Sequence, residues 1–139
     1  MRFLLDTNII SEPKQKQPNK KVIEWLEAQD ESKFHLSVLT IGEIRKGISR
    51  LESGKKRVEL EQWLEKLRSR FSHRIFSLTE KTFLVWGKMS GEFESKGITR
   101  RAFDSLLEAT ALEHDLILVT RNVKNFQNSQ VTILNPWEE

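Results

Sequence analysis

Two spacings of apolar residues alternate along the chain, and together they predict strands that alternate with helices. A short unbroken apolar run is typical of a strand buried on both faces, and residues 3–5 and 116–119 form such runs. Residues 34–38, 75–77 and 131–134 are short, mostly apolar segments that we also predict to be strands. Apolar residues three and four positions apart, which are typical of amphipathic helices, lie between these runs. The predicted helices cover residues 19–29, 40–51, 55–71, 80–96 and 102–114.

This alternation predicts an α/β fold, a three-layer α/β/α sandwich around a mostly parallel sheet of about five strands. The length of 139 residues suits a single domain over residues 1–139, and no repeat or linker divides it. In such sheets, ligands bind beyond the carboxyl ends of the strands. Polar residues that directly follow a strand are therefore the first candidates for a functional site.

The composition excludes several kinds of site. The chain has no cysteine, so disulfides, zinc–thiolate sites and thiol chemistry are excluded. There is no phosphate-binding glycine loop, HExxH helix or nucleophile elbow, and the histidines lack metal-ligand spacing. The N-terminal apolar run stops at Leu5, too early for a signal peptide or a membrane span. We expect an unprocessed cytoplasmic protein that does not associate with membranes.

The net charge of +3 is small, but basic residues cluster at residues 14–21, 45–57 and 66–74. Such clusters bind polyanions by releasing counterions, or they form ordinary solvated helix faces. Charge alone favours the solvated faces.

Two acidic residues have both a chemical and a structural interpretation. Asp6 directly follows the first predicted strand, where a carboxylate can bind a metal or cap the next helix. Glu43 lies at the edge of the buried face of helix 40–51. The pair Thr40 and Glu43 also matches a capping box, in which the glutamate bonds back to the start of its helix.

Two further acids, Asp104 and Glu108, lie one turn apart on the same predicted helix face. Like charges at this spacing repel each other. A bound metal ion would relieve the repulsion, and so would an ion pair with Arg100 or Arg101.

Polar residues also follow the strand at 116–119. Thr120 comes first, and Asn122 and Asn125 offer amide oxygens nearby, although each also suits a turn. The predicted topology can gather Asp6 and residues 120–122 at one edge of the sheet. Grouped carboxylates at such an edge bind hard cations such as Mg²⁺ and support phosphoryl chemistry.

Five segments carry a more specific pattern. They are LLDTNIISEP (4–13), LSVLTIGEIRKGI (36–48), DSLLEATALEHDLILVTRN (104–122), NF (125–126) and NPW (135–137). Together they resemble the PIN-domain ribonucleases of the VapC toxin group, and the FitB-like members in particular. The resemblance implies a Mg²⁺-dependent endoribonuclease, in which Mn²⁺ can substitute, acting as the toxin of a VapBC-type pair. Its implied partners are RNA, a small VapB-like antitoxin and a second copy of the chain, as a homodimer and in a toxin–antitoxin hetero-oligomer.

By position, the resemblance implies that Asp6, Glu43 and Asp104 are the catalytic metal ligands. The fourth acid of the family falls on Asn122 or Asn125, a departure that weakens the expected metal binding. We hypothesise that Glu108, where the family has a small residue, turns toward the metal and replaces that charge. Water would then attack phosphorus in line, leaving a 5′-phosphate and a 3′-hydroxyl.

Supporting roles are expected for two further groups of residues. Hydrogen bonds that hold ligands, water or phosphate are expected from Thr7, Asn8 and Thr120. Contacts with RNA phosphates are expected from Arg121, Arg45 and Lys46.

Two alternatives stay open. A phosphatase of the haloacid-dehalogenase type needs a second aspartate two residues after Asp6, and Asn8 occupies that position. A catalytically weakened PIN-fold module that binds RNA or an antitoxin is favoured by Asn122 and Asn125.

Overall fold

The computed structural model describes residues 1–138, and within them five strands form one sheet in which all paired strands are parallel. The strands are β1 (Phe3–Leu5), β2 (Phe34–Ser37), β3 (Ile75–Phe76), β4 (Ile117–Val119) and β5 (Ile133–Leu134). Their order across the sheet is β3-β2-β1-β4-β5. The predicted α/β fold with a parallel sheet of about five strands is confirmed.

The same described residues form six α-helices. They are α1 (Thr7–Ser11), α2 (Lys20–Ala28), α3 (Val38–Ser49), α4 (Lys55–Arg70), α5 (Glu80–Ser95) and α6 (Ala102–His114). The prediction for α6 matches residue for residue, whereas α3 begins two residues earlier than predicted. The apolar pattern does not predict α1, because its five residues are too few to show a helical period.

The sheet is buried on both faces, as the unbroken apolar runs predict. Phe3 and Leu5 face a core that they share with residues of α3 and α4. Leu4 and Leu118 face the opposite core, which α6 covers, and α5 packs against the outer side of α6. The result is the predicted three-layer sandwich.

The strand order places a crevice between β1 and β4. The chain builds the sheet outward from β1 to β2 and β3, then crosses back to add β4 and β5 on the other side. The carboxyl ends of β1 and β4 therefore lie where the order reverses, which is where α/β sheets bind ligands. Asp6 follows β1 at this point, and Thr120 follows β4.

No helix within residues 1–138 combines the length and the apolar character needed to cross a bilayer.

Candidate active site at the carboxyl ends of β1 and β4

Asp6 is a buried residue of the crevice, with 9% of its surface exposed. Its backbone N–H donates to the carbonyl of Val119 at 3.0 Å, which extends the pairing of β1 with β4. Its Oδ1 accepts the backbone N–H of Thr7 at 2.7 Å and so caps α1. Its Oδ2 accepts the hydroxyl of Thr120 at 2.8 Å. The carboxylate is therefore held in one orientation by residues from two strand ends.

Glu43 reaches the same crevice from α3. The hydroxyl of Thr7 donates to its Oε1, so Thr7 connects the segment after β1 to α3. The capping-box interpretation of Thr40 and Glu43 is wrong. Ser37 caps the helix instead, by accepting the backbone N–H of Leu39 at 3.0 Å. Thr40 is already inside the helix, and Glu43 is free to bond across the crevice.

Asp104 enters from the first turn of α6. The charged neighbour that contacts it is Arg101, whose Nε lies 3.3 Å from Oδ2. The Arg101 side chain is 74% exposed, so this ion pair is screened by solvent and is weak. Because this ion pair is weak, the Asp104 carboxylate can still interact with a cation in the crevice.

The three acids line one cleft of about 570 Å³. Burial raises the pKa of Asp6 above its ordinary value, against the hydrogen bonds it accepts, and the nearby charges of Glu43 and Asp104 raise it further. Burial also raises the pKa of Asp104, which the charge of Glu43 increases and that of Arg101 reduces. Three distant segments thus bring their carboxylates close enough for the charge of Glu43 to disfavour the ionisation of both Asp6 and Asp104.

A hydrated divalent cation fits this arrangement. Within the described residues, no three His, Cys, Asp or Glu side chains converge closely enough to hold an ion by themselves. Mg²⁺ keeps several of its waters and is commonly bound through only one or two carboxylates. Asp6, Glu43 and Asp104 supply oxygen donors of the kind that Mg²⁺ binds, and the cleft of about 570 Å³ that they line has room for water.

Glu108 does not belong to this cleft, which contradicts the hypothesis that it turns toward a metal. It is fully buried, with 0% exposure, and forms a two-point ion pair with Arg100, at 2.8 Å (Nε to Oε1) and 3.2 Å (Nη2 to Oε2). Arg100 also donates to the carbonyl of Gln127 at 2.7 Å. A carboxylate buried this deeply needs a paired cation, and Arg100 provides it.

The hydroxyl of Thr120 connects the two strand ends. It accepts the backbone N–H of Asn122 at 3.1 Å and the side-chain amide of Asn8 at 3.4 Å, while it donates to Asp6. The side-chain oxygen of Asn8 in turn accepts the backbone N–H of Arg121 at 3.2 Å. These bonds tie Asp6 to the segment after β4.

The two asparagines at the fourth-acid positions are placed differently. Asn122 lines the acidic cleft, whereas Asn125 is not among the lining residues in the described part of the chain. Of the two positions, only residue 122 faces the carboxylates, and its side chain is a neutral amide.

The three residues expected to contact RNA lie in different surroundings. Arg45 pairs with Glu61 of α4 at 3.0 Å. Lys46 lines a neighbouring groove of about 490 Å³, which shares Glu43 with the acidic cleft. The guanidinium of Arg121 lies 5.2 Å from the ring centroid of Trp137, beside the acidic cleft.

Among the described residues, the cations that line the cleft are Lys14, Arg50, Lys56 and Arg101. The sequence indicated Arg101 only as a possible ion-pair partner of Asp104 and Glu108. The other three belong to the basic clusters recognised in the sequence. Which members of a cluster face the acids depends on helix orientation, and charge pattern alone does not give that.

Known proteins resemble this chain over most of its length. The family model described as PIN domain matches residues 3–128. The chain is 34% identical over 138 residues to Toxin FitB of Neisseria gonorrhoeae, covering 99% of each chain. It is 28% identical over 137 residues to the VapC ribonuclease Y4jK of Sinorhizobium fredii, covering 98% of each.

Solved structures share the fold. The crystal structure of FitAcB from Neisseria gonorrhoeae contains a chain that superposes with a TM-score of 0.93 at 34% identity, covering 99% of both chains. The structure of VapBC2 from Rickettsia felis bound to a DNA fragment from their promoter gives a TM-score of 0.79 at 26% identity. It covers 97% of this chain and 98% of that one.

Proposed function

The chain belongs to the PIN domain family, and on that premise we propose that it is a Mg²⁺-dependent endoribonuclease acting as the toxin of a toxin–antitoxin pair. One observation carries the proposal: Asp6, Glu43 and Asp104, from three distant segments, line one cleft. Oxygen donors of this kind suit Mg²⁺, and Mn²⁺ can take its place.

Two relatives support the activity. FitB is named a toxin and Y4jK a VapC ribonuclease, and the chain aligns with nearly the whole length of each. Since both resemble this chain across the segments that hold the three acids, the same class of reaction is the simplest expectation.

The carboxylates and their hydrogen-bonding partners have different roles at the site. When bound, Mg²⁺ supplies charge that stabilises the reacting phosphate and lowers the pKa of water. Asp6, Glu43 and Asp104 hold the ion, directly or through its waters. Thr120 and Thr7 orient the first two carboxylates, because each donates a hydrogen bond to one of their oxygens.

The surrounding cations position the RNA. Lys14, Arg50 and Lys56 line the same cleft, and their charges attract the phosphates on either side of the reacting one. Water attacks phosphorus in line and gives up a proton to solvent as the new bond between phosphorus and oxygen forms. The bond from phosphorus to the 3′-oxygen breaks, and that oxygen takes up a proton from solvent. The products carry a 5′-phosphate and a 3′-hydroxyl.

A cleavage assay with purified protein tests the proposal. Wild type and the variants Asp6→Asn and Lys88→Ala are incubated with RNA in Mg²⁺ or in EDTA. Lys88 is the control, since it is 82% exposed on α5. We expect wild type and Lys88→Ala to cut only with Mg²⁺. Asp6→Asn should lose on the order of a hundredfold or more in rate, because metal ions contribute several kcal/mol to such reactions, with an unchanged circular dichroism spectrum.

A catalytically weakened module that binds RNA or an antitoxin is the second candidate. It is favoured by the neutral amide of Asn122, which faces the carboxylates where a fourth charge would strengthen metal binding. Wild-type protein that binds RNA in EDTA but leaves it uncut in both Mg²⁺ and Mn²⁺ would establish this candidate and reject the nuclease. Cleavage by Asp6→Asn at the wild-type rate would reject the assigned site.

The partner proposal is a small antitoxin that inserts a segment into the acidic cleft, with an arginine pairing the carboxylates. The named toxin FitB and the VapBC2 structure support such a partner. Co-expression with the product of a neighbouring small gene should yield a complex that no longer cuts RNA. The proposal includes a homodimer and a cytoplasmic location, which sedimentation velocity and cell fractionation measure.

A further inference from the structure

A second cleft opens beside the acidic one. It encloses about 860 Å³. Five residues line both clefts: Asn8, Ser11, Lys14, Gln15 and Lys56. The two therefore form one continuous trough, with the three acids in one part and the second cleft beside them.

The second cleft is basic. Among the described residues that line it are four cations and one acid. The cations are Lys14, Lys16, Lys56 and Arg121, and the acid is Glu12. The Glu12 carboxylate already accepts the backbone N–H of Asn19 at 2.7 Å. A polyanion that enters this part of the trough gains from the remaining positive charge.

The cleft also contains a flat aromatic surface. Trp137 is half-buried against the core beneath the sheet, and its backbone N–H is held by the side-chain oxygen of Asn135 at 3.0 Å. The guanidinium of Arg121 lies 5.2 Å from the centroid of its ring. Nucleic-acid bases stack on both tryptophan rings and guanidinium planes when they are not already stacked in a duplex.

Resting on the proposed nuclease function, we propose that Arg121 and Trp137 form a subsite for one unpaired nucleotide of the RNA beside the phosphodiester that is cut. Lys14 and Lys56 contact its flanking phosphates, since both residues line the trough on the way to the acids. Single-stranded RNA is therefore the substrate class. A base within a duplex has its faces covered by neighbouring bases and cannot use the subsite.

Binding measurements in EDTA test the subsite without cleavage. The probe is a short unstructured RNA labelled with fluorescein, compared with a labelled RNA duplex, and binding is followed by fluorescence anisotropy. Arg121→Gln and Trp137→Ala should each weaken single-strand binding roughly tenfold or more, the effect of losing a stacked base. Duplex binding should change much less, and Trp137→Phe should restore most of the single-strand affinity.

The lysines have a different signature. Lys14→Ala and Lys56→Ala should each lower the slope of log affinity against log salt by about 0.7, the value for one lost single-strand phosphate contact. Lys88→Ala, on the other side of the sheet, should leave both the affinity and the slope unchanged.

The outcomes separate this proposal from the nuclease proposal. Wild type that cuts RNA, with Arg121→Gln and Trp137→Ala variants that bind and cut as wild type does, overturns the subsite alone. Wild type that binds through these residues but does not cut keeps the subsite and overturns the nuclease. Thermal unfolding checks the Trp137→Ala fold, and if it unfolds, the exposed Arg121→Gln decides. Variants that keep RNA affinity but lose antitoxin binding would make the cleft a protein-binding site and overturn the subsite.

Discussion

At the residue scale, the carboxylates of Asp6 and Asp104 reduce the stability of the metal-free fold at neutral pH. Asp6 accepts two hydrogen bonds that favour its ionised form, and still its pKa is raised, because burial and neighbouring carboxylates outweigh them. The pKa of Asp104 is likewise raised by burial, and its ion pair with the exposed Arg101 offsets only part of that effect. A site that disfavours its own charges in this way is suited to bind a cation.

Asp104→Asn should stabilise the metal-free protein at neutral pH. A pKa raised in the folded state means that the folded chain binds more protons than the unfolded chain. The free energy of unfolding therefore falls as pH rises from the unfolded-state pKa, about 3.9, through the raised folded-state pKa. Replacing Asp104 with asparagine should make this decrease in the free energy of unfolding smaller. Chemical denaturation in EDTA across this pH range measures it.

Two controls sharpen the Asp104 prediction. The free energy of unfolding of Asp104→Asn should exceed that of wild type by less as the pH is lowered. Adding Mg²⁺ at neutral pH should also reduce this difference, because the bound ion stabilises wild type. A variant less stable than wild type at neutral pH in EDTA would show that the carboxylate stabilises the fold.

The buried pair of Arg100 and Glu108 has a structural role, and its energetics can be separated by a double variant. Arg100→Met should lower the free energy of unfolding by about 3–5 kcal/mol, because it leaves the Glu108 carboxylate buried and unpaired. Combining it with Glu108→Leu should recover most of the loss. Urea denaturation of both single variants and the double variant measures the coupling. A double variant as unstable as Arg100→Met alone would contradict this role.

At the element scale, the start of one helix changes the interpretation of a site residue. The range of α6 follows from its apolar period, so the placement of Asp104 on its first turn could be predicted. The start of α3 could not, because both Ser37 and Thr40 are good caps and only Ser37 lies at the end of β2. That two-residue difference turned Glu43 from a capping residue into one that bonds across the crevice.

Two further features of the site depend on contacts that local sequence does not encode. Helix α1 is too short to show a period, and its cap, Asp6, is itself a site residue. The partner of Glu108 depends on where the segment before α6 packs, so spacing alone left Arg100, Arg101 and a metal ion equally possible. That Asp6 and Thr120 lie at the same edge of the sheet follows from the alternation of strands and helices, and that part was predictable. The strand order that makes β1 and β4 neighbours was not.

The end of α6 offers a prediction at this scale. Asp115 closes the helix in the left-handed conformation, with φ 55° and ψ 54°, and places a negative charge at the negative end of the helix dipole. Asp115→Gly removes both costs and should raise the free energy of unfolding by about 1 kcal/mol. Asp115→Ala removes the charge alone and serves as the comparison. A glycine variant no more stable than the alanine variant would mean that backbone strain contributes nothing.

At the scale of the whole molecule, the fold separates its charges along one trough. The carboxylates come from the end of β1, from α3 and from the start of α6. The cations that surround them come from the segment after α1, the end of α3, the start of α4, and the residues before α6 and after β4. Although the net charge is only +3, the charges are unevenly distributed, because basic residues surround a cluster of acidic ones along the trough. Such a pattern attracts a polyanion while leaving room for a divalent ion at the centre.

The measurement that decides whether Asp6, Glu43 and Asp104 share a divalent ion is a calorimetric Mg²⁺ titration of wild type, Asp6→Asn, Glu43→Gln, Asp104→Asn and Lys88→Ala. We predict that wild type and Lys88→Ala bind Mg²⁺ alike, and that each of the three acid variants binds it roughly tenfold or more weakly. Acid variants that bind Mg²⁺ as tightly as Lys88→Ala would contradict a shared ion at these carboxylates.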